Sequence, residues 1–177
     1  SSPVIDQERV FTLGAEGKLH CFELATGEGI WSRDLRAEYD VRQDFFGTAS
    51  TPLAENGLLI VMVGAPGGPT VVAFDQATGR EVWRAGEWGP SYASPVPATL
   101  HGERRVLVFA GGESTPPIGG LLSIDPDNGE VDFAFPFRSR TYESVNASCP
   151  VVFDDTVFIS ASYRTGGALV RALPDFT

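Results

Sequence analysis

The 177-residue chain alternates short apolar runs with polar, glycine-bearing turns. The runs come in pairs: "RVFTLGA" with "LHCFEL", "LLIVMVGA" with "TVVAFD", "RVLVFAGG" with "LLSID", and "TVFISAS" with "ALVRAL". Each is rich in Val, Leu, Ile and Phe and bounded by Gly, Pro, Asp or Asn, which is the composition of a strand. No window keeps apolar residues at i, i+3, i+4 and i+7 for three turns before a Gly or Pro interrupts it, so helix is hardly expected. The pattern predicts an all-β protein.

A similar phrase precedes each pair: "SSPVID" from Ser1, "ASTPLAEN" from Ala49, "SYASPVPA" from Ser91 and "NASCPVVFDD" from Asn146. After it come a polar turn, an apolar run, a glycine loop, a second run, an acidic-to-Gly turn and a third run containing an aromatic. Successive phrases stand about 43 to 55 residues apart, a period that marks a stacked or radial array. Four strands of about five residues plus their turns fill such a unit, which is the content of one β-propeller blade. The expected architecture is therefore a β-propeller of four-stranded antiparallel blades. Three are complete (about 1–47, 48–90 and 91–143) and part of a fourth covers 144–177. Each Ser-Pro-Val phrase is expected to open an inner strand, where Pro is tolerated because no ladder donor is needed and small neighbours permit close approach at a crowded axis.

The sharpest recurrence is the turn before the aromatic: "ELATGEGIW", "DQATGREVW" and "DPDNGEVDF". Gly27, Gly79 and Gly129 each stand four residues before Trp31, Trp83 or Phe133. An acidic residue such as Asp75 at the head of the turn can accept backbone N–H bonds, Thr78 or its equivalent can close it, and Gly supplies the positive φ. The aromatics then fall on one face of each sheet, and a single blade cannot cover that face; the neighbouring blade is expected to do so.

Charge and composition narrow the partners. The formal charge is −10, with acidic residues spread along the chain and no Lys/Arg block, so nucleic acid is not expected. No run approaches the roughly 20 apolar residues of a membrane-spanning helix. Cys21 occupies the position of Ala73 and Ser123, and Cys149 that of Ser2, Thr51 and Ser94. Both read as buried free thiols at small-residue sites. His20 stands where other repeats have Val72 and Leu122, and His101 lies in a turn, with no triad or metal spacing around either. "DPD" from Asp125 and "FDD" from Phe153 read as turn chemistry, not as a calcium loop.

The Asp-x-x-Thr-Gly-x-x-x-Trp turns, "FDQATGREVW" above all, resemble the repeat of the quinoprotein-type (PQQ-like) propellers. That family holds pyrroloquinoline-quinone (PQQ) dehydrogenases, exported bacterial PQQ-like repeat proteins and the propeller lipoprotein of outer-membrane assembly. The resemblance extends over nearly the whole chain. It implies seven or eight blades, so this chain is expected to be a portion of a larger ring, with a closed four-bladed ring as the alternative. It also implies a periplasmic or otherwise exported setting, no targeting segment being legible between Ser1 and Thr177. A PQQ dehydrogenase of this family needs a calcium ion held by carboxylate and amide oxygens, an Asp base and usually a disulfide between adjacent cysteines; the two cysteines here are far apart.

A binding face would lie where the loops from outer to next inner strand, and those between second and third strands, gather around the channel. These loops are long and rich in side chains. Their candidates are Tyr39, Asp40, Arg42, Asp44, Trp88, Tyr92, Glu113, Arg138, Arg140, Tyr142, Glu143 and Asn146. Tyr, Trp and Arg favour protein recognition through rigid area and planar donors. The expected function is a non-catalytic protein-binding or scaffold propeller whose partner is another protein or the remaining blades, with no cofactor and no metal. The alternative is a piece of a PQQ- and calcium-dependent alcohol or sugar dehydrogenase. A glycan-binding face would rest on Trp88 and Tyr92 alone.

Overall fold

The computed structural model describes residues 1–41, 47–112, 114–142 and 144–175. Its described strands form four separate antiparallel sheets. The first holds β1 (Val4–Asp6), β2 (Arg9–Leu13), β3 (Lys18–Glu23) and β4 (Gly29–Asp34). The second holds β5 (Leu53–Glu55), β6 (Leu58–Met62), β7 (Val71–Asp75) and β8 (Glu81–Ala85). The third holds β9 (Val96–Leu100), β10 (Glu103–Ala110), β11 (Gly120–Ile124) and β12 (Val131–Pro136). The last holds β13 (Val151–Phe153), β14 (Thr156–Ala161) and β15 (Gly166–Arg171). Strands are spatially sequential in every sheet. These are three propeller blades and part of a fourth. The outer face of the last sheet stays exposed, with Phe153 at 78% and Leu169 at 74%, and so does Ile5 on the first. The four sheets therefore form an open array.

The repeated Pro phrases do more than permit close approach. Ser2 N–H donates to Thr51 Oγ1 (3.2 Å), Thr51 N–H to Ser94 Oγ (2.8 Å) and Ser94 N–H to Cys149 Sγ (3.4 Å). Each small residue thus accepts the equivalent backbone donor of the preceding blade, linking the inner strands. One expectation needs correction here. Cys21 is buried, but Cys149 is exposed: the equivalent Ser2 is exposed and Thr51 and Ser94 are only partly buried, so this position of the Pro phrase is not a core site. Burial pushes the Cys21 thiol up, with Arg9 pulling the other way.

Three cores lie between the four sheets. Phe11, Leu19 and Cys21 of the first sheet meet Leu59, Val72 and Phe74 of the second. Ile60, Ala73 and Trp83 meet Val106, Val108 and Leu122, and Leu107, Phe109 and Leu121 meet Val157 and Ile159. The aromatic of the recurrent turn stands across from a small residue: Trp31 pairs with Cys21, Trp83 with Ala73 and Phe133 with Ser123. A bulge follows each time, between Cys21/Phe22, Ala73/Phe74 and Ser123/Ile124.

The indoles lie on glycines of the next blade. A Cβ on Gly79 would meet Trp31 Cδ2 at 2.6 Å, and one on Gly129 would meet Trp83 Cδ2 at 2.8 Å. Trp31 Nε1 donates to Gln76 O (3.0 Å) and Trp83 Nε1 to Pro126 O (2.9 Å). The seat itself is built by the turn: Gly79 N–H returns to Asp75 O, and the Asp75 carboxylate accepts Thr78 N–H and Thr78 Oγ1–H. Those hydrogen bonds, Thr78 first, hold the Asp75 carboxyl below its usual range. The Phe133 ring has no N–H, and at the third junction the carbonyl of Ala172 is instead bonded by His101 Nε2 (2.9 Å).

One short helix was not expected. After β4, Asp34 caps Ala37 N–H and starts α1 (Leu35–Tyr39), which ends on Asp40 in the left-handed region. It carries Tyr39 across to the second blade, where the phenol donates to Glu81 Oε2 (2.6 Å) beneath the Arg84 guanidinium, 5.7 Å from the ring centroid. Burial and then the Glu81 carboxylate push the Tyr39 phenol well above its ordinary value. Burial alone would raise Glu81, but the bonds from Tyr39 and Arg84 outweigh it and hold that carboxyl below its usual range.

Two outcomes follow for stability. Trp83→Ala should cost about 3–5 kcal/mol in chemical denaturation, against less than about 0.5 for exposed Arg80→Ala. Gly79→Ala and Gly129→Ala should each cost more than Gly27→Ala: all three strain a positive φ, but only the first two drive a methyl into an indole. Equal costs at the three glycines would contradict the seating. Because Tyr39 titrates higher folded than unfolded, its contribution is fully present below the ordinary value of 10.0 and is lost as pH rises through the folded value. Tyr39→Phe should remove about 1 kcal/mol at neutral pH and flatten the alkaline decline in stability, read from denaturation midpoints across pH.

Candidate interaction face

The loops after β4, β8 and β12 meet those after β2, β6 and β10, as propeller geometry requires. Thr48 N–H donates to Ala15 O, Gly111 N–H to Gly89 O, Asn146 N–H to Gly111 O and Tyr92 N–H to Asn146 O, all within 3.2 Å. Two glycines are obligatory here. A Cβ on Gly64 would lie 2.3 Å from Pro90, and one on Gly112 2.7 Å from Pro90 O. The chain therefore crosses itself at backbone distance, and the loops form one fixed surface rather than independent tips.

Buried polar side chains hold that surface. Thr70 is fully buried, and its hydroxyl both donates to Trp88 O (2.8 Å) and accepts Trp88 N–H (2.7 Å). Asn146 is buried, with Nδ2 on Ala110 O (2.8 Å) and Phe137 O (3.3 Å). The Arg138 guanidinium donates to Ser144 Oγ (2.6 Å) and to the carbonyls of Gly112 and Ser144. Ser91 Oγ donates to Phe109 O (2.6 Å).

The sequence candidates accordingly separate into groups. Tyr39, Arg138 and Asn146 are engaged inside the molecule and position the loops. Trp88 is half-buried against the second core, and Tyr92 lines a small cavity with Val41, Thr48 and Pro90. Asp40, Arg140 and Tyr142 are exposed, Tyr142 at 52%. Asp40 also borders an open cleft of about 470 Å³ with Glu16, Lys18, Asp34 and Arg36. Arg42, Asp44, Glu113 and Glu143 lie outside the described residues. Thr70, Ser91 and Ser144 carried no signal in the sequence: each is a common small polar residue whose role depends on a carbonyl or amide far along the chain.

The two histidines both make contacts within the fold. His20 stacks on Phe22 with centroids 5.8 Å apart, on the outer face of the first sheet. His101 N–H donates to Asp155 Oδ1 (2.6 Å), and its Nδ1 lies 3.2 Å from Asp155 Oδ2, so the β9–β10 turn is tied to the β13–β14 turn. Among the described residues no group of three or more His, Cys, Asp or Glu side chains is gathered to hold a metal ion. The two cysteines are separate, one buried in the first blade and one exposed in the last. No helix among the described residues is long and apolar enough to cross a membrane.

Comparison with known proteins places this geometry. No curated protein matches the chain in sequence. Among solved structures, the quinohemoprotein alcohol dehydrogenase ADHIIG from Pseudomonas putida HK5 is 14% identical with a TM-score of 0.67, over 90% of this chain and 28% of that one. The quinohemoprotein alcohol dehydrogenase from Comamonas testosteroni is 18% identical with a TM-score of 0.67, over 99% of this chain and 33% of that one. The computationally designed Ika4 protein is 13% identical with a TM-score of 0.64, over 96% of this chain and 88% of that one. At these identities the likeness is one of fold, and the chain spans a third or less of either dehydrogenase. The family model that matches is PQQ_2, described as outer membrane protein assembly factor BamB, and it takes in residues 1–172, so that on its repeats, its blades and this match the chain belongs to that PQQ-like propeller family.

Proposed function

We propose that the chain is a non-catalytic, protein-binding part of a PQQ-like propeller in an exported bacterial protein. The observation that carries the reading is the loop face. Its backbone is locked by Thr70, Arg138 and Asn146, and it presents Asp40, Arg140 and Tyr142 to solvent with Trp88 and Tyr92 partly exposed beside them. A rigid platform bearing tyrosine, tryptophan and arginine binds at low entropic cost, because neither loop nor anchor must be ordered on contact. The family match supports the same reading, since it is to an assembly factor. The dehydrogenase alternative rests on a fold likeness, which does not carry activity.

A photo-crosslinking residue at position 142 should give discrete protein adducts in a periplasmic extract of a related bacterium. The same residue at exposed Glu130, in the outer turn, should give none above background. Indistinguishable adduct patterns would overturn the reading. Added PQQ and calcium should produce neither a saturable absorbance band nor dye-linked alcohol oxidation; turnover with both would establish the alternative.

A further inference from the structure

The connections from second to third strand lie on the loop face, and in the first three blades glycines such as Gly17 (φ +78), Gly64 (φ +61) and Gly111 (φ +127) take their left-handed positions. The fourth blade differs. Its β14–β15 turn is the short stretch from Ser162 to Thr165, bracketed by the Ala161–Gly166 pair and closed by Thr165 N–H on Ser162 O (3.3 Å). Ser148 Oγ, in the loop after β12, donates to Ser160 O (2.6 Å) and so ties this end of β14 to the loop face. The two central turn positions are Tyr163 at φ +58 and Arg164 at φ +65. Two successive positive φ values are the geometry of a type I′ hairpin turn, for which Asn-Gly is the unstrained choice. The chain makes that choice between β5 and β6, with Asn56 at φ +48 and Gly57 at φ +79. A bulky side chain in the left-handed region strains the backbone, and in the β14–β15 turn two stand in succession.

No contact of these side chains within the molecule offsets that strain. Tyr163 is 56% exposed, Arg164 is exposed as well, and among the described residues neither side chain has a hydrogen-bond, ion-pair or ring partner. Many other cations are committed to carboxylates: Lys18 to Asp34, Arg33 to Glu38, Arg84 to Glu81, Arg104 to Glu55 and Arg105 to Asp132. On the same face as the turn, Arg140 and Tyr142 are also exposed and unpartnered among the described residues. This face therefore offers two guanidinium groups and two phenol rings to a partner. A guanidinium matches a carboxylate through planar, paired donors. The formal charge of −10 repels a polyanion as a whole, so the match is to single carboxylates set among uncharged residues.

We infer that the Tyr163–Arg164 turn is a recognition element of the loop face, and that its occupant is a protein segment carrying a carboxylate next to an aromatic or aliphatic side chain. Arg164 takes the carboxylate, and the Tyr163 ring lies against the apolar neighbour. The inference rests on the protein-binding reading of the loop face and names the chemistry of the partner. A tight turn on a paired ladder suits this task, because both anchors are already fixed in backbone and little is ordered on contact.

The probe is the terminally blocked peptide Gly-Glu-Phe-Glu-Gly, with Gly-Gln-Phe-Gln-Gly as its uncharged counterpart. Titrated into the isotope-labelled 177-residue protein at low salt, the first should give saturable amide shifts centred on Ser162 to Gly166 that weaken as salt is added. The second should bind at least about tenfold more weakly. Tyr163→Asn combined with Arg164→Gly installs the residues that this turn geometry prefers, so the double variant should melt at or above the parent temperature and still bind at least about tenfold more weakly. Equal binding of both peptides, shifts that survive the double substitution, shifts centred elsewhere, no shifts, or a double variant that melts lower would each overturn the inference. Shifts at this turn on concentrating the protein alone, or with phosphatidylglycerol vesicles and not with the peptide, would assign it to a second copy or to a lipid surface and overturn it as well. The loop-face reading fails separately: crosslinks at position 142 that are unchanged by the double substitution would remove the role of the turn and leave that reading standing.

Discussion

The array depends on an indole laid flat on a glycine of the next sheet. A twisted four-stranded sheet has two faces and can bury neither by itself, so each blade borrows cover from its neighbours. Trp83 shows how the loan is fixed. The ring meets a small residue of its own sheet, Ala73, and lies on Gly129 of the next, and its N–H finds Pro126 O. Trp83 is 7% exposed, so the contact combines apolar burial with a directional bond inside a low-dielectric junction. The bond sets the sliding position of one blade on another, which burial alone leaves loose.

Much of this arrangement is legible in the residues because its causes are local. The Asp-x-x-Thr-Gly turn is closed by bonds spanning three or four positions, and the step from glycine to aromatic is fixed by the same turn. Period, strand content and blade order follow from it. What the sequence does not show is long-range. A serine at position 94 reads as merely small, yet its hydroxyl accepts an amide 43 residues away, and Asn146 reads as a loop side chain although it is buried on Ala110 O, 36 residues away. Tyr39 and Arg138 were legible as aromatic and basic loop residues, but not as inward-facing ties. Cys149 differs from its expected burial for a related reason: the small residue of the Pro phrase links one inner strand to the next without entering a core, as exposed Ser2 and partly buried Thr51 and Ser94 show.

The same distinction governs the loop face. Loops become a platform when their backbone groups are satisfied within the protein, because a donor or acceptor bonded internally is not free to reorganise toward solvent. Here the ties use residues from different blades: Thr70 holds the loop after β8 in its own blade, whereas Asn146 reaches back to β10 and also receives Tyr92. Blade packing and loop order are therefore coupled, and a surface able to bind does so from a preset shape.

The third junction shows which part of the indole contact is indispensable. Phe133 takes the tryptophan position but its ring has no N–H to offer, and the cleft beside it, bordered by Phe135, Leu169 and Val170, has a volume of about 330 Å³. Ala172 stands where Gln76 and Pro126 stand, since Ala172 N–H bonds Asp155 O as Gln76 N–H bonds Gly57 O. Its carbonyl is buried and still bonded, but by His101, reaching from a different turn whose backbone N–H is held by Asp155 Oδ1. The donor changes residue, strand and direction, while the satisfied carbonyl stays. The repeat thus tolerates loss of the ring's area more readily than loss of the hydrogen bond, because a half-filled apolar contact costs in proportion to the area missing, whereas an orphaned buried acceptor costs its whole desolvation.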